Sequence, residues 1–416
     1  MEKLNAISLN SRYVLMAFFL IFGVFFSLHL VHQPVIDWDE EVYLHLSKQM
    51  TWNLEHYTTQ NSHIEEQLPQ AYYRSPLFHH PPLIPFGIKL LSFAGYLTGA
   101  KILNLILWYV SMFLVFAIAC KFTDLKGAIL ALILWVICPI VNLEARLVHL
   151  DFPSTVLSLL GFWFFLKYKG QDPKHIYLVG SGVAFALSML TKYTGPLLVF
   201  LPAFLFITNR GRLKDWKAWG IYGGTISFGF IWWLCIYMRF GSIIPPGFGG
   251  EDISGHVTPY LSSISKRQWY DLWIYFLAIC PLFLIYLGGV GKALFDMIGR
   301  RRSLPAISEG IRSLIAANAG IWVFVSIFSL INSQSNGYWV FRHIMPVFPI
   351  IYISLGVICS RILDRDQEMI NAFLIACVLF TLVTMISSTA ITGLEARNLK
   401  PIPVSLYWSK MEHLFH

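Results

Sequence analysis

Asp37-Trp38-Asp39-Glu40-Glu41 places four carboxylates within five residues, directly after the first long apolar run of the chain. Crowding carboxylates beside an indole disfavours ionising all of them at once. Such a cluster can supply a general base, a metal ligand or a cation site; the alternative is a solvated acidic loop. Asp39 and Glu40 are the members best placed for chemistry, because an amphipathic stretch, Val42–Trp52, follows them.

Further ionisable groups recur at the ends of apolar runs. Arg74-Ser75-Pro76-Leu77-Phe78-His79-His80-Pro81-Pro82 offers Arg74 and His80 as donors on a proline-fixed extended path. Glu144 to Pro153 contains Arg146, His149 and Asp151, and Asp151 before Phe152-Pro153 is also a good helix N-cap. Lys192 sits in the turn Thr191-Lys192-Tyr193-Thr194-Gly195, where it can snorkel or hold a phosphate. Arg267 closes a glycine- and proline-rich stretch, and Arg342-His343 precede Pro346. Anionic headgroups need cations of this kind, and a displacement beside them needs a carboxylate.

Composition says what must position these groups. Hydrophobic residues make up 56% of the 416 and charged residues only 13%, with a mean hydropathy of +0.60. A soluble domain carries about a quarter of its residues charged. The expectation is an all-α polytopic membrane protein, since helices satisfy their own backbone in lipid and no barrel-like alternation is present.

Apolar runs long enough to span, about 17–25 residues, are read at Tyr13–Leu30, Ala100–Cys120, Gly127–Asn142, Phe152–Leu166, Ile176–Leu190 and Gly195–Thr208. Others are Ala218–Met238, Trp273–Val290, Ile311–Ile331, Ile344–Cys359 and Ile370–Ala390, for eleven spans in all. Pro82–Tyr96, interrupted by Pro85, Gly87, Lys89 and Gly95, is read as a helix lying in the interface. With the N-terminus inside, this count puts 18 of the 31 basic and 9 of the 23 acidic residues inside, a net of +9 against −1 outside. The C-terminus then lies outside.

Residues 1–416 form one transmembrane domain in this reading. It has a first extracytoplasmic loop at 31–81, a second at 239–270 and a short extracytoplasmic tail at 391–416. Juxtamembrane helices lie in the two loops, and the second loop suits a lid. All the candidate groups named above fall on the outer side. The net charge of +8 reflects topology, so no nucleic-acid partner is expected. The six cysteines show no CxxC or CxxH spacing, which supports neither a zinc site nor a disulfide framework.

Five of these elements resemble, in order, the motifs of GT-C glycosyltransferases. They are Asp39-Glu40-Glu41-Val42-Tyr43, His80-Pro81-Pro82-Leu83, Leu150-Asp151-Phe152-Pro153, Thr191–Gly195 and Arg342–Pro346. The set is similar to the protein O-mannosyltransferase and lipid A aminoarabinose transferase branch.

The resemblance implies an inverting transfer of a sugar, hexosyl or pentosyl, from a polyprenyl-phosphate donor to a lipid, protein or glycan acceptor. The expected place is the extracytoplasmic face of the cell membrane. Carried over, Asp39 is the base, with Glu40 and Asp151 as further catalytic acidic residues. Arg74, His80, Lys192, Arg267, Arg342 and His343 bind the lipid phosphate, although the aminoarabinose enzymes present a lysine where His80 stands. No metal ligand set is read from the sequence. No cofactor is required by the residues, and a divalent cation stays open as one, since some GT-C enzymes use it. The rival reading is a transporter or flippase of lipid-linked sugars; no internal repeat supports it.

Overall fold

The computed structural model describes residues 38–61, 80–168, 174–192, 215–241, 283–299, 314, 318 and 345–363. Among them every element is helical. The helices are α1 (Trp38–Gln49), α2 (Leu83–Leu90), α3 (Tyr96–Ala119), α4 (Leu125–Ile137), α5 (Pro139–Arg146) and α6 (Asp151–Tyr168). They continue as α7 (His175–Met189), α8 (Trp216–Ser227), α9 (Ile231–Phe240), α10 (Phe283–Gly299) and α11 (Phe348–Leu363). A 3₁₀ turn at Phe228–Phe230 joins α8 to α9, so that Trp216–Arg239 runs on as one 24-residue helix.

That helix and α3 are long and apolar enough to cross a membrane. A helix of 24 residues reaches about 36 Å, against an apolar bilayer core of about 30 Å. Along α3 the residues Lys101, Asn104, Trp108, Ser111, Met112 and Val115 are buried, one inward stripe at the three-to-four spacing of a helix. By contrast α2 has eight residues, about 12 Å, too few to span. Gly95, at φ 103°, turns the chain from the α2 region into α3, a conformation that costs glycine nothing. Phe86, Leu90 and Phe93 are exposed there, as suits a helix lying against lipid.

The apolar run Gly127–Asn142 does not form one straight helix. It breaks at Cys138-Pro139, and α5 leaves α4 at a 60° bend. Proline removes a donor and clashes with the preceding turn, which frees carbonyls above it. Asn142 compensates, its side-chain amide donating to Val136 O and Cys138 O. The bend directs the α5–α6 linker, residues 147–150, toward α1.

Two apolar clusters flank that linker. The larger joins α3, α4, α6, α7, α10 and α11 through Trp108, Trp135, Phe162, Phe185, Tyr286 and Tyr352. The smaller lies beneath α1, α2 and α9, with Tyr43, Leu46, Ile84, Ile88 and Trp232. Leu147 belongs to the first cluster, Val148 and Leu150 to the second, and Phe152 to the first again. The linker is thus pinned from both sides.

Close backbone approach fixes α4 against α11. A Cβ on Gly127 would stand 2.5 Å from Gly356 O and 2.9 Å from the Ser360 Cβ. Gly127→Ala should therefore cost roughly 1–3 kcal/mol, the scale of overpacking, read as a lowered thermal midpoint in detergent. An unchanged midpoint would mean that the two helices part freely. Asp124 caps α4, accepting from Gly127 N at 3.0 Å and from the Ser360 hydroxyl at 2.7 Å. Burial pushes its carboxyl up, but the hydrogen bonds from Ser360, Gly127 and Thr123 and the charge of Lys126 outweigh that and hold it below its ordinary value. The cap's contribution is complete above the ordinary carboxylate range and is lost as pH falls through the lowered value.

Candidate active site

α1 opens with its acidic residues in the first turn, where the helix dipole favours negative charge. Their side chains diverge. Asp39 is half-buried, whereas Glu40 is 0% exposed. Glu40 Oε1 accepts from Val148 N at 2.9 Å and meets Lys101 Nζ at 3.4 Å. Lys101 also donates to Arg146 O at 2.7 Å, and Asn104, one turn further along α3, donates to Leu147 O at 2.7 Å. Arg146 Nε in turn donates to Asn142 O at 3.1 Å. The irregular linker is anchored by side chains rather than by secondary structure.

Asp151 begins α6 and is 2% exposed. Its Oδ1 accepts from Lys192 Nζ at 2.5 Å, and Lys192 is itself 3% exposed. Two of the residues singled out in the sequence thus meet one another. Lys192 is held at the end of α7 by its backbone N–H on Ser188 O, and Leu83 N donates to Leu190 O, which brings the start of α2 to the same turn. His149 and Glu144 form a third buried pair at 3.0 Å. Chain connectivity keeps these groups close, since Asp151 follows Val148 by three residues, at most about 11 Å of chain.

His80 precedes α2 and packs its ring against Tyr43 of α1, edge-on with centroids 6.0 Å apart. Tyr57 donates to Pro81 O at 3.4 Å and crosses Trp232 of α9 at 5.5 Å. Beside this junction lies an apolar cavity of about 640 Å³. Met50, Trp52, Tyr57, Phe86, Leu190 and Trp232 are among the residues lining it. Leu190, one of the lining residues, is two residues from Lys192 in the chain.

The structure therefore draws Asp39, Glu40, His80, Asp151 and Lys192 toward one junction of α1, α2, α6 and α7. Arg74, Arg267, Arg342 and His343 lie outside the described residues. Among the described residues no group of three or more His, Cys, Asp or Glu side chains is placed to hold a metal ion. Lys101 and Asn104 were missed by sequence reasoning. Their one available signal was two polar residues three apart on an apolar helix, a spacing that places them on one face.

The chain has the fold of the GT-C membrane glycosyltransferases. A crystal structure of ArnT from Cupriavidus metallidurans bound to undecaprenyl phosphate superposes with a TM-score of 0.57 at 16% identity, over 93% of this chain and 73% of that one. The archaeal oligosaccharyltransferase AglB from Archaeoglobus fulgidus, in complex with an inhibitory peptide and a dolichol-phosphate, gives 0.55 at 14% identity. That match covers 94% of this chain and 56% of AglB. In sequence, residues 79–235 match the dolichyl-phosphate-mannose-protein mannosyltransferase family. No curated protein matches the chain in sequence.

Proposed function

We propose that this protein transfers a sugar from a polyprenyl-phosphate carrier to an acceptor at the extracytoplasmic membrane face, with inversion at the anomeric carbon. The observation that carries the reading is the placement of the α1 start. Half-buried Asp39 sits beside an enclosed Glu40 that is bonded to the linker leading to the Asp151–Lys192 pair. The eleven-span topology, with an extracytoplasmic second loop at 239–270, completes the proposal. The GT-C fold and the lipid phosphates bound by ArnT and AglB support it.

In the proposed reaction Asp39 accepts the proton of the acceptor's nucleophile, whose oxygen or nitrogen bonds to the anomeric carbon. The bond from that carbon to the phosphate oxygen breaks, and the phosphate leaves with the electron pair. Lys192 and His80, with Arg74, Arg267, Arg342 and His343, neutralise its charge, an effect worth several kcal/mol when preorganised. The apolar cavity takes the first isoprene units of the carrier, with the phosphate toward Lys192, two residues beyond the lining residue Leu190. Asp151 holds Lys192 in place until the phosphate arrives.

Vesicles loaded with labelled polyprenyl-phosphate sugars, with the membrane's lipid, protein and glycan fractions as acceptors, test the reading. Label should move to one acceptor fraction with release of polyprenyl phosphate. Translocation of intact donor without cleavage would replace the transferase by a flippase. For the topology, reporters fused after Leu213 and after Lys400 should lie on opposite sides of the membrane; finding both on one side would sink the eleven-span arrangement.

A further inference from the structure

Lys101 lies near the start of α3 and is 7% exposed, yet the transfer chemistry above makes no use of it. Its ammonium meets Glu40 Oε1 at 3.4 Å and Arg146 O at 2.7 Å. The same Glu40 oxygen accepts from Val148 N, and Asn104 holds Leu147 O. Three successive residues, Arg146 at the end of α5 and Leu147 and Val148 of the linker, each have a backbone polar group tied by a side chain. Two of those ties run through the Glu40–Lys101 pair.

Stability alone is a weak reason for such a pair. Burying two charges is expensive, and apolar residues of similar volume commonly serve a fold as well or better. What an ion pair with added hydrogen bonds supplies is one defined geometry. Here the geometry relates two particular pieces of chain. Asp39 precedes Glu40 on α1, and Asp151 follows the anchored linker at the head of α6.

We propose that Lys101 is a positioning residue of the transfer reaction, which through Glu40 and the Arg146–Val148 backbone fixes Asp39 relative to the Asp151–Lys192 turn. The role rests on the transferase reading. Without the ammonium, Glu40 keeps the Val148 N–H but loses its counter-charge, and Arg146 O loses its donor. The α1 start and the linker then shift independently. The reacting groups are misaligned, while the apolar cavity and Lys192, which hold the donor, stay as they were. The signature is a fall in kcat with little change in donor KM.

The test uses the full chain in phospholipid vesicles with a panel of labelled polyprenyl-phosphate sugars, and compares wild type with Lys101→Met, Lys101→Arg and Glu40→Gln. Lys101→Met should lower kcat at least about tenfold with donor KM within about threefold, since misplacement of about 1 Å costs up to about 100-fold. Lys101→Arg should recover most of that loss. Hydrogen exchange provides a readout independent of turnover, in which the Val148 amide should exchange at least about tenfold faster in Lys101→Met than in wild type. If Lys101→Met does not fold, the same kcat-specific loss and faster Val148 exchange are expected of Glu40→Gln. An active wild type with kcat unchanged in these variants, or with the loss falling on KM instead, overturns the positioning role and leaves the transferase reading standing. A wild type inert toward every donor sinks the transferase reading, and the role of Lys101 falls with it.

Discussion

Asp39→Asn should give a folded, donor-binding protein whose turnover has fallen by at least about 10²-fold, the usual contribution of a general base. Asparagine keeps the size of the side chain but cannot take a proton from the acceptor. The neighbouring carboxylates cannot substitute equally. Glu40 is fully enclosed and already accepts from Val148 N and Lys101, and Asp151 is bonded to Lys192. Glu40→Gln should therefore cost less than Asp39→Asn, through geometry rather than proton transfer, and Asp151→Asn should fall between them. The measurement is turnover with saturating donor, alongside donor binding to confirm that the site survives. Near-normal turnover in Asp39→Asn with none in Glu40→Gln would move the base to Glu40. Normal turnover in both would leave the acidic cluster without a catalytic role, with Glu40 serving only to anchor the linker.

Several of these elements were legible in the sequence because their signals are local. The acidic cluster, the Leu-Asp-x-Pro helix start and the apolar run that forms most of α3 each depend on neighbours close in the chain. Proline punctuation was partly legible: Pro81-Pro82 was read as fixing an extended path, with an interfacial helix from Pro82 onward, and α2 starts at Leu83. Pro139 was absorbed into a single span, although its ring cannot continue a straight helix and α5 departs from α4 there. The span read as Trp273–Val290 overlaps α10 over Phe283–Val290, and the helix continues past Lys292 and Asp296, which lower hydropathy without stopping a helix.

Lys101 shows why the remainder was not legible. By hydropathy it is a charge at the mouth of a span, and it was counted with the outer loops. Its burial is decided by Glu40, 61 residues upstream, and by Arg146, 45 residues downstream. Neither separation leaves a mark in local periodicity. The same holds for Lys192, whose candidate roles were snorkelling and phosphate binding. A carboxylate 41 residues earlier in the chain is its partner in the structure.

That pairing makes Lys192→Met the substitution with the largest expected effect on stability. Removing one member of a buried ion pair strands the other, at a cost of about 3–5 kcal/mol. Asp151 at 2% exposed has little water to turn to. The single variant should unfold well below the wild-type midpoint, and a loss of activity in it would not by itself implicate the donor. The double variant Asp151→Asn/Lys192→Met separates the two roles. It removes both charges together, so most of the lost stability should return, as apolar or neutral replacements of buried pairs are commonly tolerated. If Lys192 also holds the carrier's phosphate, the double variant should still bind polyprenyl phosphate more weakly by roughly 1.5–3 kcal/mol, the worth of a charge-assisted hydrogen bond. Thermal midpoints and binding of labelled polyprenyl phosphate in detergent give both quantities on the same samples. A stable double variant with wild-type affinity would leave Lys192 as a partner of Asp151 alone, and the phosphate would have to be held by His80 and the cations of the outer loops. A single variant as stable as wild type would show instead that the pair opens readily, with the lysine already available to the phosphate.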